Sequence, residues 1–147
     1  MAVVLIVEDD EQVSVMSESI LRDAGHTVIA ATGAEGTAAL LAIKKPIDIL
    51  FVDLKLGNDQ EAGLRLAHEA KTTRPELSFL YTTGAGLNEG MKAMFQEPCL
   101  FLPKPYTLEQ LTESIAFLLS KAKPPSTMKW PVPQSENTGP TKDGVPS

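Results

Sequence analysis

Four segments of the sequence each end in residues that could take part in metal or phosphate chemistry. Each follows a short apolar run, and the four ends are Glu8-Asp9, Asp53, Thr83 and Lys104. Carboxylates that lie close together repel one another, and a hard divalent cation such as Mg²⁺ relieves that repulsion through oxygen ligands. A carboxylate can also attack a phosphoryl group, while a lysine and a hydroxyl neutralise the charge on the transferred oxygens. The four segments therefore predict a site for metal-dependent phosphoryl transfer, provided that the fold brings them together.

The apolar runs before these residues are predicted to be strands of one parallel sheet. Continuous runs rich in β-branched residues are typical of strands that are covered on both faces. They span residues 3–7, 27–30, 47–52, 77–81 and 99–102. Helical patterns follow them over residues 11–24, 34–44, 62–73, 87–96 and 108–121. Strands that alternate with helices in this way predict βαβ units and a doubly wound α/β fold.

A sheet of this kind places the four segments at one edge. In open parallel sheets, chemistry is found beyond the carboxyl ends of the strands, at the topological switch point. Asp10 fits the N-cap of the following helix better than it fits a metal ligand. Thr107 and Gln110 have the spacing of a capping box before the last helix.

Composition predicts one folded domain with an acidic surface. The chain has 147 residues and a net charge of −6, which argues against binding to nucleic acid or to anionic membranes. Its single cysteine, Cys99, excludes an intrachain disulfide. Neither a signal peptide nor a membrane-spanning run is visible, so we expect a cytoplasmic protein. Residues 1–122 are predicted to fold, and 123–147 to form a Pro-rich flexible or extended tail.

Four motifs resemble those of bacterial response-regulator receiver domains. They are Val-Leu-Ile-Val-Glu-Asp-Asp at 4–10, Ile-Leu-Phe-Val-Asp-Leu-Lys-Leu at 49–56, Thr83-Gly84, and Leu-Phe-Leu-Pro-Lys-Pro-Tyr at 100–106. The resemblance covers residues 2 to about 121, with the four motifs in the expected order and at the expected intervals. The resemblance, which is to stand-alone, chemotaxis-regulator-like receivers, implies a flavodoxin-like sheet of five parallel strands. The implied strand order is 2-1-3-4-5, with helices on both faces.

The resemblance also implies a metal site around a phosphoacceptor. Asp53 is implied to be the acceptor, and Mg²⁺ the cofactor. Asp9 and Asp53 would bind the metal directly, together with the backbone carbonyl of Lys55. Glu8 would act through a bound water.

Further residues are implied to contact the phosphoryl group or to respond to it. Thr83 and Lys104 would bind its oxygens, and Thr83 is preferred to Thr82 because it directly precedes the small Gly84. Phe101 occupies the aromatic switch position. The peptide bond before Pro105 is implied to be cis.

The loop after Asp53 departs from the common family pattern. Gly57 stands where a proline is usual, and the loop through Gly63 is longer than the common form. The resemblance therefore gives no expectation for the part that this loop plays in the choice of partner.

The implied function is a phosphorylation-controlled signalling switch rather than an enzyme. A sensor histidine kinase or a histidine phosphotransfer protein would supply the phosphoryl group. The output would be a changed contact with a downstream protein through the helix over 87–96, the last strand and the last helix. A homodimer could form through the same surface. Direct binding to nucleic acid is not expected, because the residues after 121 are too few for a DNA-binding domain.

The same motifs leave two other functions open. A receiver that is never phosphorylated would serve as a docking module, and the complete set of acceptor residues argues against that. A phosphohydrolase with an aspartate nucleophile would carry Asp-x-Asp at the end of its first strand. This chain has Glu8-Asp9-Asp10 there and places its acceptor on the third strand.

Overall fold

The computed structural model describes residues 2–33, 37–38, 41–42 and 45–120. The strands are β1 (Val3–Val7), β2 (Thr27–Ala31), β3 (Ile49–Asp53), β4 (Ser78–Thr83) and β5 (Cys99–Pro103). The helices are α1 (Glu11–Asp23), α2 (Ala62–Thr73), α3 (Glu89–Ala93) and α4 (Leu108–Leu119). Of the helix predicted over 34–44, residues 37, 38, 41 and 42 are helical, and the others lie outside the described residues. The predicted tail over 123–147 also lies outside them.

The five strands form one parallel sheet in the order β2-β1-β3-β4-β5. This confirms the predicted flavodoxin-like topology. The two most apolar runs, β1 and β3, are adjacent and lie inside the sheet. Both of their faces are covered there, which is the position that continuous apolar strands favour. Among the described helices, none is long and apolar enough to cross a membrane.

Alternate residues along each strand pack into two separate layers. On one face, Leu50, Val52 and Tyr81 belong to a cluster that also contains residues of α2 and Leu41. On the other face, Ile49 and Phe51 belong to a cluster with α1 and α4. The helices therefore cover both faces, as predicted.

Side-chain caps fix where the two helices on the second face begin. The Asp10 carboxylate accepts hydrogen bonds from the N–H groups of Gln12 and Val13, so it is the N-cap of α1. Thr107 and Gln110 form the predicted capping box at the start of α4. Caps of this kind are each worth about 1 kcal/mol.

The third strand and the helix predicted over 87–96 have other bounds in the structure. The third strand runs from Ile49 to Asp53 rather than over 47–52. Just before it, the N–H of Asp48 donates to the carbonyl of Val3, and the Asp48 carboxylate accepts the N–H of Val3. The helix predicted over 87–96 is reduced to α3. Asn88 caps its start, and beyond Ala93 the N–H of Gln96 donates to the Tyr81 hydroxyl at 2.7 Å instead of continuing a helix.

Candidate functional site

The register of the sheet brings the predicted acidic residues together. Glu8 and Asp9 follow β1, and Asp53 ends the neighbouring β3. One carboxylate oxygen from each of the three lies within 4.8 Å of the others. Glu8 and Asp53 are buried and Asp9 is exposed, so the cluster has one side open to solvent.

Lys104, which directly follows β5, forms ion pairs with two of these carboxylates. Its ammonium nitrogen lies 2.8 Å from Oε1 of Glu8 and 2.7 Å from Oδ2 of Asp53. Its backbone N–H donates to the carbonyl of Thr83 at 3.1 Å, which ties the end of β5 to the end of β4. The Lys104–Pro105 peptide bond is cis.

The charges of the cluster fit a divalent cation. Three carboxylates and one ammonium leave a formal charge of −2. All the carboxylate donors are hard oxygens, and the exposed side leaves room for metal-bound water, which suits Mg²⁺. The residues present therefore fit the metal that the sequence predicts.

Burial and pairing shift the pKa values of two groups here. Burial raises the pKa of the Glu8 carboxyl above its usual 4.5, and the hydrogen bond from Lys104 offsets this only in part. Burial alone would lower the pKa of the Lys104 ammonium. Its hydrogen bonds to Asp53 and Glu8 outweigh burial, so the pKa of Lys104 lies above its usual 10.5. Lys104 is thus held in its charged form, while a second negative charge beside Asp53 is disfavoured.

The raised pKa of Glu8 predicts a pH dependence of stability. A group whose pKa is higher in the folded than in the unfolded state stabilises the fold fully below its unfolded pKa, here 4.5. That contribution is lost as the pH rises through the folded value. In chelator, the wild type should therefore gain stability relative to Glu8→Gln as the pH falls from 7 towards 4.5. The quantity to follow is the unfolding free energy of the wild type minus that of Glu8→Gln. Denaturant unfolding at several pH values measures it, and a flat difference would contradict the shift.

A close backbone approach supports the position of Asp53. A Cβ atom placed on Gly63 would lie 2.2 Å from the carbonyl oxygen of Asp53. Gly63 stands at the start of α2, and its N–H donates to the carbonyl of Leu54 at 2.8 Å. The sequence interpretation named Gly63 only as the end of a long loop. Glycine is unfavourable inside a helix, so its place in the first turn of this one could have indicated a close backbone contact.

The two threonines at the end of β4 differ in their contacts. The Thr83 hydroxyl accepts the N–H of Ala85 at 3.1 Å. The Thr82 hydroxyl is buried, and among the described residues it has no hydrogen-bond partner. Thr82 is the register partner of Asp53, and Thr83 is that of Pro103. The preference for Thr83 as the phosphoryl contact stays a prediction.

Comparison with known proteins identifies the family. Residues 4–116 match the model of the response regulator receiver domain. The chain belongs to this family. The acidic cluster and Lys104 lie in the motifs that this chain shares with the family.

Curated relatives carry receivers as parts of longer chains. The receiver is 29% identical over 122 residues to the sensor kinase CckA of Brucella abortus, covering 82% of this chain and 13% of that one. It is also 29% identical over 109 residues to the nitrogen assimilation regulatory protein NtrX of Azorhizobium caulinodans, covering 74% of this chain and 24% of that one. The chain thus spans less than a quarter of the length of either relative.

A solved structure agrees with the fold. The response regulator receiver protein from Sinorhizobium medicae WSM419 superposes with a TM-score of 0.73 at 24% identity. The alignment covers 81% of this chain and 94% of that one. At this identity the likeness concerns the fold.

The predicted switch residue of the receiver, Phe101, packs against a stack of aromatic rings. It is half-buried, and its ring centroid lies 6.2 Å from that of Phe95. Phe95 in turn stacks on Tyr81 at 4.1 Å. The switching role of Phe101 stays a prediction.

Tyr106 anchors the loop that carries Lys104, a role that the sequence interpretation missed. Its buried hydroxyl lies 2.6 Å from Oγ of Ser17 in α1. Its ring lies 5.8 Å from that of Phe51, two residues before Asp53. Ser17 and Tyr106 are 89 positions apart, so no local pattern could have paired them.

Proposed function

We propose that this receiver accepts a phosphoryl group on Asp53 from a phosphohistidine donor and passes the signal on through protein contact. Membership of the family supports a role in two-component signalling. The observation that carries the proposal is the buried Asp53 carboxylate, 2.7 Å from the ammonium of Lys104 and beside Glu8 and Asp9. The donor would be a sensor histidine kinase or a histidine phosphotransfer protein.

The residues of the site have the chemistry that this transfer needs. A carboxylate oxygen of Asp53 attacks phosphorus, and the bond from phosphorus to the donor's imidazole nitrogen breaks. That nitrogen keeps the electron pair, and Asp53 becomes an acyl phosphate. Lys104 keeps its positive charge beside the transferred oxygens, where negative charge is concentrated.

The metal would be held directly by the carboxylates of Asp9 and Asp53 and by the carbonyl of Lys55, and Glu8 would act through a metal-bound water. When bound, Mg²⁺ neutralises charge on the phosphoryl oxygens. The N–H of Lys55 donates to Oδ1 of Asp53 at 3.2 Å, so Asp53 is oriented from both of its oxygens. We propose Thr83 as the hydroxyl that contacts the phosphoryl group and Phe101 as the residue that responds.

A direct experiment tests this function. The protein is incubated with Mg²⁺ and a small phosphoryl donor such as acetyl phosphate, and its intact mass is measured. We expect one phosphoryl group on the wild type and none on Asp53→Asn, which keeps the shape of the side chain but is not a nucleophile. Uptake that survives this substitution would reject Asp53 as the acceptor.

Exposed apolar residues beside the site suggest where the protein donor binds. Val15 and Met16 are 58% and 44% exposed in the first turns of α1, the helix that begins two residues after Asp9. At a rise of about 1.5 Å per residue they lie within roughly 10 Å of its start. Exposed apolar groups next to a reaction site are typical of a contact surface.

A substitution on this surface of α1 should affect transfer from a protein donor but not from a small-molecule donor. Met16→Glu should slow transfer from a phosphohistidine protein about tenfold, because it puts a charge in an apolar contact. Uptake from acetyl phosphate should not change. Met94→Glu is the matched control, since Met94 is equally exposed, at 45%, but lies just after α3. Equal effects of both variants on the protein donor would reject α1 as the contact.

A further inference from the structure

The loop between β3 and α2 is a tight hairpin turn. Leu56 and Asp59 exchange two backbone hydrogen bonds, at 3.0 and 3.1 Å. Gly57, at the turn, has a φ of +62°, a conformation that glycine adopts without strain. The Asp59 carboxylate is paired with Arg65 of α2. The hairpin over 56–59 is therefore held by its own backbone hydrogen bonds and by an ion pair to α2.

This hairpin is bonded directly to the acidic cluster. The N–H of Gly57 donates to Oδ2 of Asp9 at 2.6 Å, across 48 positions of sequence. A hydrogen bond to a carboxylate is roughly twice as strong as one between neutral groups. Proline, which is usual at this position in the family, has no N–H and fixes φ near −65°. It could supply neither the hydrogen bond nor the conformation.

The loop backbone thus orients two of the three carboxylates. The N–H of Lys55 binds Asp53, and that of Gly57 binds Asp9. Asp9 is exposed, so without this bond its side chain would be free to change rotamer. A carboxylate has further lone pairs on both oxygens, so the bond leaves Asp9 able to bind a metal.

We propose that Gly57 is a positioning residue, whose N–H holds the Asp9 carboxylate in place for Mg²⁺ and so makes metal affinity depend on the hairpin over 56–59. The inference rests on the proposed function of the cluster as a metal site. A ligand that is already oriented does not lose side-chain freedom when the metal binds, so the metal binds more tightly. Linkage requires the converse as well, so bound Mg²⁺ stabilises the hairpin.

Titration of the full chain with Mg²⁺, followed by amide NMR, tests this. Gly57→Pro should weaken Mg²⁺ about tenfold, the loss typical when a group that orients a metal ligand is removed. Gly57→Ala keeps the N–H and should lose less than Gly57→Pro. Asn58→Ala is the matched control in the same turn and should bind as the wild type does.

Hydrogen exchange in the wild type gives a second readout that needs no variant. The Gly57 amide should exchange more slowly than that of Asn58 in chelator, and more slowly still in Mg²⁺. Unprotected exchange at Gly57, or equal affinity of Gly57→Pro and the wild type, overturns the inference and leaves the phosphoacceptor role intact. A wild type that binds no Mg²⁺ rejects the metal site itself, and the inference with it.

Discussion

Replacing Gly63 by alanine should destabilise the domain by about 3 kcal/mol or more and distort the phosphoacceptor, because there is no space for a methyl group. The new Cβ would lie 2.2 Å from the carbonyl oxygen of Asp53 and 2.8 Å from Cα of Leu54. Both contacts are with backbone, which cannot turn aside as a flexible side chain can. Relief requires either α2 or the end of β3 to move, and a movement of the end of β3 shifts Asp53 relative to Lys104.

Denaturant unfolding and phosphoryl uptake measure the two consequences of Gly63→Ala. Gly86→Ala is the matched control, since a Cβ atom there meets nothing within 4 Å and the backbone has an ordinary φ. It should change the unfolding free energy by less than about 0.5 kcal/mol. If Gly63→Ala were as stable and as active as Gly86→Ala, the close approach of α2 to Asp53 would be wrong.

Replacing Lys104 by methionine should have a second large effect, this time through charge. The substitution leaves Glu8 and Asp53, whose side chains are only 4% and 7% exposed, without their cation. Removing one partner of a buried ion pair costs about 3 kcal/mol, because the remaining charge is neither hydrated nor paired. We expect this loss in chelator and partial recovery in Mg²⁺, since a bound cation replaces the missing charge and stabilises the folded state.

The same substitution should slow phosphoryl uptake from a small donor about 100-fold, the usual effect of removing one group that stabilises the transferred oxygens. Lys92→Met is the matched control. Lys92 pairs with the exposed Glu89 on α3, and surface pairs contribute less than about 1 kcal/mol. A Lys104→Met protein that is as stable as Lys92→Met in chelator would show that the buried pairing contributes nothing.

The fold was predictable because its signals are local. Each strand is a continuous apolar run, and each apolar run is followed by a helical pattern, which together require a doubly wound sheet. The acidic cluster followed from the rule that parallel strands end at one edge. Glu8, Asp9, Asp53 and Lys104 were named on that basis, and the structure brings all four together.

Contacts that depend on distances between elements were not predictable. The bond between Ser17 and Tyr106 joins α1 to the loop after β5, and nothing near either residue indicates it. The need for glycine at position 63 depends on how closely α2 approaches β3. The longer loop after Asp53 was visible, but its hairpin and the bond from Gly57 to Asp9 depend on backbone geometry that composition does not specify.

We propose that Asp53 itself carries the phosphoryl group. The most direct test is to phosphorylate the wild type in Mg²⁺, digest it, and locate the modification by mass spectrometry. Parallel treatment with hydroxylamine, which cleaves acyl phosphates, identifies the bond. We expect one phosphoryl group, on the peptide that contains Asp53, and its removal by hydroxylamine. A modification on His26, His68 or a hydroxyl residue, or one that resists hydroxylamine, would contradict it.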